Sequence, residues 1–346
     1  MVVTYGPKFA DPGSHEAQTL TEVARSIARL LDQEFGGVYN PALIDGIPPY
    51  FVPGHTLVGN ELGIEREDEF FGGVVPFPFV AHKTIAHPLL GTRAPEGWSH
   101  ALAARMRDAV LPGFSAFTME DAREAATRML GGGTVRLKPA MGIGSRGQYV
   151  VEDAAQLDQV LKDIDASEGL VVERNLVDVT TYSVGQVSVG VLRAAYIGTQ
   201  SLTRDNEGNN AYGGSEIIVV RGGYDALSAL KLPAELSKAV RQAQAFEVAA
   251  TSVFPSLIAS RRNYDVACGR DSAGEAHCGV LEQSWRIGGA SPAEVAALEV
   301  LRDDPDLSVV HASTVERYGP DVEVPDDARL LFSGNGLTKY VVVHED

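Results

Sequence analysis

A lysine followed closely by three glycines is the strongest chemical signal in this chain. Lys138 precedes Gly142, Gly144 and Gly147, with Ser145 and Arg146 inside the loop. Glycines allow a backbone to turn tightly and to bring bare N–H groups against phosphate oxygens. A lysine adds a point charge for the same anion. A second signal lies downstream, where Asp265, Glu282, Ser284 and Arg286 fall on two apolar segments joined by 269–275, a run of Gly, Asp and Ser typical of a hairpin turn. With the turn centred near Ala273, Asp265 falls opposite Glu282, and Ser284 lies two residues along the same face. Two carboxylates so placed repel unless a cation sits between them. Hard oxygen donors without a neighbouring Cys or His ligand suit Mg2+ bound together with phosphates. Arg286 adds a fork for a carboxylate or a transferring phosphoryl group.

The loop spacing matches the dinucleotide fingerprint literally, but that fingerprint must open a helix. Here Gln148-Tyr-Val-Val151 follows, a β-rich run, so the loop joins two strands. A Walker A loop would need Gly-Lys and then Ser or Thr at its end, and this one lacks them. Protein kinases also use a strand–glycine loop–strand cradle, but the chain has no His-Arg-Asp and no Asp-Phe-Gly. The plain alternatives are a glycine-rich hairpin and a pair of solvated acids. The apolar residues flanking both acids, Val266, Ala267, Val280 and Leu281, argue for a strand largely inside the protein.

The elements that must position these residues follow from periodicity. Leu20, Val23, Ile27, Leu30 and Leu31 predict a helix over 16–34, ended by Gly36 and Gly37. Residues 82–100, rich in Pro, Gly and His, read as a connector. Helices are expected at 99–110, 119–130, 154–165 and 234–253. Strands are expected at 134–138, 148–151, 170–173, 263–268 and 279–284, with two more across 181–199 turning near Gly190. The polar, glycine-rich stretch 201–215 reads as a mobile loop. Three parts result: an N-terminal α/β domain over 1–97, a small lid over 98–173 and a larger C-terminal part over 174–346.

Composition sets limits. The chain has 346 residues, 45% of them hydrophobic, enough for two or three domains. A net charge of -17 disfavours nucleic acid and anionic membrane as partners, so any phosphate site must be locally basic. Cys268 and Cys278 are too few for a disulfide framework, and His277 and Cys278, adjacent in a strand, face opposite sides, which argues against a metal site there. With no apolar leader and no long apolar span, a cytoplasmic location is expected.

Taken in order, these pieces resemble the ATP-grasp superfamily across roughly residues 83–291. Lys138 in Leu137-Lys-Pro139 matches the family's lysine ahead of its glycine loop, and Met141 to Gly147 matches the loop. The run ending in Glu173, with Arg174 and Leu176 beyond, matches the strand that holds adenine. Asp265 and Leu281-Glu-Gln-Ser-Trp-Arg286 match its metal motif, although Ser284 stands where the family usually has Asn. Lys83 is the match for an earlier family lysine, with Arg105 or Arg107 as substitutes. Segments 110–117 and 285–291 resemble an uncharacterised bacterial branch of the superfamily.

The resemblance implies an α/β (α+β) ATP-grasp fold and the cofactors ATP and Mg2+. Lys83 and Lys138 would hold the α- and β-phosphates, and Gly142, Gly144, Ser145, Arg146 and Gly147 would cover the β- and γ-phosphates. Glu173 and Leu176, with Arg174 between them, would meet adenine through backbone groups, and Thr180 or Thr181 the ribose. Asp265, Glu282 and Ser284 would hold the metal, with Arg286 and Lys138 as catalytic groups. The implied reaction is ligation of a carboxylate to an amine or similar nucleophile through an acyl phosphate. The alternatives are a small-molecule kinase and a non-catalytic ATP-binding regulator. The expected partners are small carboxylate and amine substrates, with a homodimer as the oligomer considered.

Overall fold

The computed structural model describes residues 1–43, 46–142 and 147–344. Gly144, Ser145 and Arg146 of the glycine loop therefore lie outside the described residues. The organising element is an eight-stranded antiparallel sheet. Its strand order is Ala276–Ser284, Arg261–Arg270, Val177–Val189, Leu192–Arg204, Asn210–Arg221, Val309–Tyr318, Leu337–His344 and Arg329–Gly334. Both faces are covered. On one, Val240, Ala243, Phe246 and Ala250 of helix Ala234–Val253 pack against Val184, Ile197, Val266 and Val280. On the other, helix Ser291–Asp303 packs against Tyr196, Ile217 and Val219, and helix His15–Leu30 packs on that helix and on the edge strand Arg329–Gly334 within the same core. Each Val, Ile or Phe among these contributes about 1.5–3 kcal/mol on full burial.

Helix His15–Leu30 forms because Leu20, Val23, Ile27 and Leu30 share one buried stripe, and the Ser14 side chain caps it by accepting from the Ala17 N–H at 3.1 Å. It ends earlier than the glycines at 36 and 37 suggested, since Asp32 adopts a left-handed φ of 52°. Those glycines lie in the strand Phe35–Val38, where a Cβ at Gly36 would strike the Met1 side chain. This strand, Val2–Tyr5 and Tyr50–Pro53 make a small parallel sheet with Val2–Tyr5 at its centre. A further small sheet joins Leu57–Val58 and Gly73–Val75 to Ile258–Ala259.

The glycine loop belongs to a four-stranded sheet of Gly113–Ala116, Leu170–Arg174, Val135–Pro139 and Tyr149–Val151. Strands precede and follow the loop, as expected. Ala122, Ala125 and Ala126 of helix Met119–Leu130 cover this sheet with Leu157 of helix Ala154–Val160. That second helix stops five residues short of expectation.

Three expectations need correction. Residues 201–215 are not a loop: Leu192–Arg204 and Asn210–Arg221 pair through them, with Gln200 opposite Ser215 and Leu202 opposite Tyr212. Their polar composition reflects the solvent-facing end of a long hairpin. Residues 82–100 are more than a connector, because the 3-10 turn Lys83–Ala86 and His87 are buried against the core. Finally, Cys268 and Cys278 are direct partners across their hairpin and form a disulfide. Among the described residues, no helix is long and apolar enough to cross a membrane.

Candidate active site

The edge hairpin Arg261–Arg270 and Ala276–Ser284 carries the acids. Asp271 shapes its turn, accepting from the Ala273 and Glu275 N–H groups at 2.9 and 3.0 Å. The resulting register sets Asp265 opposite Glu282 and Asn263 opposite Ser284. A bulge after Asp265 interrupts the ladder. Asp265 Oδ1 accepts from Gln200 Nε2 at 2.7 Å, Asn263 Nδ2 at 3.1 Å and Ser183 Oγ at 3.5 Å. Burial and the facing Glu282 push the Asp265 carboxyl up to about 6. Two mutually repelling carboxylates with hard oxygen donors form a fitting place for a divalent cation. They form only a pair, however: among the described residues no three His, Cys, Asp or Glu side chains cluster as a metal site. The Ser284 hydroxyl is turned toward Arg261, whose Nη1 lies 3.4 Å away.

Arg261 is a buried strut beneath this hairpin. Its guanidinium pairs with Glu294 through both oxygens, at 2.6 and 3.0 Å, and both residues are almost fully enclosed. The remaining nitrogen donates to the Arg286 and Ser284 carbonyls at 2.6 and 3.0 Å. Tyr196 completes the network, its hydroxyl contacting Asn263 at 2.9 Å and Glu294 at 2.7 Å. Arg286, half-buried, donates to the Ile287 carbonyl at 3.1 Å. Burial, then the nearby Arg261, presses its guanidinium below its ordinary value. Sequence reasoning missed Arg261, Glu294 and Asn263. Only the oddity of charges among apolar residues in 261–267 and 291–298 could have flagged them.

The two predicted lysines converge on this hairpin from different elements. Lys138, 2% exposed, sits on Val135–Pro139 with its ammonium 2.7 Å from Glu173 Oε1 and 3.4 Å from the Leu281 carbonyl. His87, equally sealed, places Nε2 3.7 Å from the other Glu173 oxygen. Burial, with the Lys138 charge behind it, pushes the imidazole down to about 3, so it is neutral at ordinary pH. Lys83 rises from the 3-10 turn Lys83–Ala86 to Glu282 Oε2 at 3.0 Å and to the Gly142 carbonyl. That turn is tied to the hairpin by Gln283, whose Nε2 donates to the Val80 and His82 carbonyls at 2.9 Å each.

Of the other predicted residues, Leu176 packs with Leu111, Ala267 and Leu281 in a small apolar cluster beside Lys138, and Thr181 pairs with Ala267 on the neighbouring strand. The Arg174 side chain does not join the site. It follows Glu173 by one strand residue, so it faces the other way, and its guanidinium lies against Gly132 and Gly133. Arg105 and Arg107 are exposed and do not replace Lys83. Gly142 lies at the loop's start and Gly147, with φ 71°, at its end.

The chain belongs to the family described as "Protein of unknown function (DUF3182)", whose model matches residues 3–342. No protein of curated function matches it in sequence. In fold it is similar to the beta-gamma-ATP complex of biotin carboxylase from Campylobacter jejuni, at 12% identity over 100% of this chain and 87% of that one, with a TM-score of 0.50. It is also similar to carboxyaminoimidazole ribonucleotide synthase from Aspergillus clavatus complexed with ATP, at 11% identity over 99% and 93%, with a TM-score of 0.51. The N5-carboxyaminoimidazole synthase of the same organism, in complex with ADP and 5-aminoimidazole ribonucleotide, covers the same shares at 12% identity and a TM-score of 0.50. The fold is thus the ATP-grasp fold, a mixed α/β architecture.

Proposed function

We propose that this DUF3182 chain is an ATP-dependent ligase that joins a small carboxylate to an amine or similar nucleophile. The observation that carries the reading is the convergence on one hairpin of an acid pair, Asp265 and Glu282, with two buried lysines from separate elements. One of those lysines also touches the start of the glycine loop. The fold shared with nucleotide-bound enzymes supports it.

Asp265 and Glu282 would hold Mg2+, which supplies charge neutralisation for phosphate oxygens. Lys138 and Lys83 would meet the α- and β-phosphates, Lys138 while keeping its Glu173 contact and Lys83 by exchanging part of its Glu282 contact for phosphate. The loop from Gly142 to Gly147, Ser145 and Arg146 included, would cover the outer phosphates. The apolar wall at Leu176 would receive adenine, with Thr181 toward the ribose. Arg286 would hold the acid. A carboxylate is a poor acylating agent. Its oxygen attacks the γ-phosphorus, the bond to the β,γ-bridging oxygen breaks, and ADP departs with that electron pair. The nucleophile then attacks the acyl carbon and loses a proton, and inorganic phosphate leaves. The protein's part is positioning and charge balance. The division carried into this reading is an N-terminal part to residue 97, a lid over 98–173 and a C-terminal part from 174; the four-stranded sheet within 113–174 supports the lid, while Leu102 and Met106 pack with the large sheet.

The test is incubation with Mg·ATP and pooled carboxylates and amines, reading ADP and product mass. ADP release that needs both an acid and an amine, with a product equal to their sum less one water, is the expected result. A stable phosphorylated product formed without amine would replace ligation by phosphoryl transfer. Tight nucleotide binding with no ADP release across the pools would favour a regulatory role.

A further inference from the structure

Lys8 is a cation that the nucleotide chemistry leaves unused. It follows the central strand of the parallel sheet, Val2–Tyr5, after Gly6 turns the chain with a φ of 107°. A Cβ at Gly6 would meet the His55 ring, so only glycine makes this turn. The lysine stem packs against Gly54, just beyond the neighbouring strand Tyr50–Pro53. The carboxyl ends of parallel strands are where open α/β sheets bind ligands.

The surroundings of Lys8 are cationic in a protein that is otherwise strongly acidic. Burial first, then Arg286 and Lys339, lower the lysine's affinity for its proton. The chain beside it meets the Arg286 segment directly: Thr56, two residues beyond Gly54, donates its hydroxyl to the Trp285 carbonyl at 3.4 Å. Lys339 is closed off, paired to Glu316 at 2.7 Å with both side chains buried. Lys8 instead pairs with Glu16, a half-exposed carboxylate in the first turn of helix His15–Leu30. Arg286 forms no direct ion pair among the described residues and donates to a backbone carbonyl, with Glu282, Glu16 and Asp265 acting on it from further away. Two cations with spare capacity therefore face one region, Arg286 on the metal-hairpin side and Lys8 on the N-terminal side.

Resting on the ligase reading, we infer that Lys8 is a second anion clamp of the substrate site: the acid held at Arg286 is a dianion whose other carboxylate or phosphate is bound by Lys8. Glu16 holds the lysine in place and is exchanged for that anion when substrate enters. A monocarboxylate would leave Lys8 on Glu16 and gain nothing from it.

The test is calorimetric titration of the full chain, with and without Mg and a non-hydrolysable ATP analogue. The probes are the dicarboxylates from malonate to adipate, 3-phosphoglycerate, and the monocarboxylates from acetate to hexanoate. At least one dianion is expected to bind about tenfold tighter than its matched monoanion, the worth of one charge-assisted hydrogen bond. Dicarboxylates against 3-phosphoglycerate identify the second anion. Lys8→Gln should erase that preference without changing affinity for the ATP analogue. Glu16→Gln, which frees the lysine, should tighten the dianion about threefold. Equal binding of dianions and monoanions, or no binding of any dianion at millimolar concentration, overturns the inference. Weaker dianion binding in Glu16→Gln also overturns it, since that would mean the glutamate itself contacts substrate. Failure of the ATP analogue to bind would instead overturn the ligase reading.

Discussion

The two lysines that reach the hairpin of Asp265 and Glu282 are held in opposite ways. Lys138 is locked in the four-stranded sheet, its ammonium against a carboxylate as buried as itself and a neutral histidine behind. Lys83 stands on a short 3-10 turn and leans on Glu282, which is 30% exposed, and on a loop carbonyl. Closed, desolvated pairs cannot lose one partner cheaply, whereas half-exposed pairs can exchange partners. The difference assigns distinct expectations: the Lys138 region is part of the folded core, and the Lys83 region is free to rearrange around a ligand.

The sharpest way to break this contrast is at Glu173. Glu173→Gln leaves the Lys138 charge buried without a counter-charge, and a loss of about 3–5 kcal/mol in urea unfolding is expected. The double variant Lys138→Met with Glu173→Gln should recover much of that loss, because two neutral side chains no longer leave a charge alone. A single-variant loss below about 1 kcal/mol would show that water reaches Lys138 and that the two lysines are held alike.

His87 sharpens the same point through pH. Its folded value, about 3, lies below the value of about 6.5 in an unfolded chain. Between those values the unfolded chain binds the extra proton, so its contribution to stability is present above pH 6.5 and is lost as pH falls toward 3. From pH 6.5 to 5 the loss is about 2 kcal/mol, at roughly 1.4 kcal/mol per unit. Urea midpoints of the wild type and His87→Phe over this interval measure it. Identical slopes would mean that the imidazole is solvated.

How much of this could be read in advance follows the same division. Strands around Lys138 and the hairpin register at Asp265 and Glu282 were legible because local alternation and turn chemistry set them. The alternation of Val135 and Leu137 about Arg136, the apolar run 170–172 and the Asp271 turn carry that information within a few residues. Lys83 could be named but not placed, since Gln283 fixes its turn across some two hundred residues of chain. His87 and the Arg261–Glu294 strut are likewise products of tertiary packing, with no periodic signature. The Arg174 side chain points away from Glu173 because a strand sends neighbours to opposite faces, so only its backbone could serve the site. The stretch 201–215 misled because exposed strand ends have the composition of loops.

Gln283 is the link by which the hairpin controls the looser lysine. Gln283→Leu removes two hydrogen bonds, leaving the Val80 carbonyl unpaired in a buried setting and the His82 carbonyl with only the 3.3 Å bond from the Ile85 N–H. A cost of about 1–3 kcal/mol is expected, with weaker ATP-analogue binding in calorimetry because Lys83 loses its seat. An unchanged nucleotide affinity at that stability cost would show that Lys83 finds its position without the turn.

Glu282→Gln should have the smallest effect on stability and so gives the comparison its cleanest form. The change removes one member of a repelling carboxylate pair and leaves Lys83 its contact with the Gly142 carbonyl. The lost ion pair is partly exposed and worth about 1 kcal/mol or less, and relief of repulsion at Asp265 offsets it. Unfolding free energy should therefore stay within about 0.5 kcal/mol of wild type. Mg-dependent tightening of ATP-analogue binding should be lost, because a neutral amide cannot replace a carboxylate against a divalent cation. Glu173→Gln should do the reverse, with a large stability loss at a residue not assigned to the metal. If instead Glu282→Gln unfolds the chain while Mg dependence survives, the hairpin pair is structural and the metal belongs elsewhere.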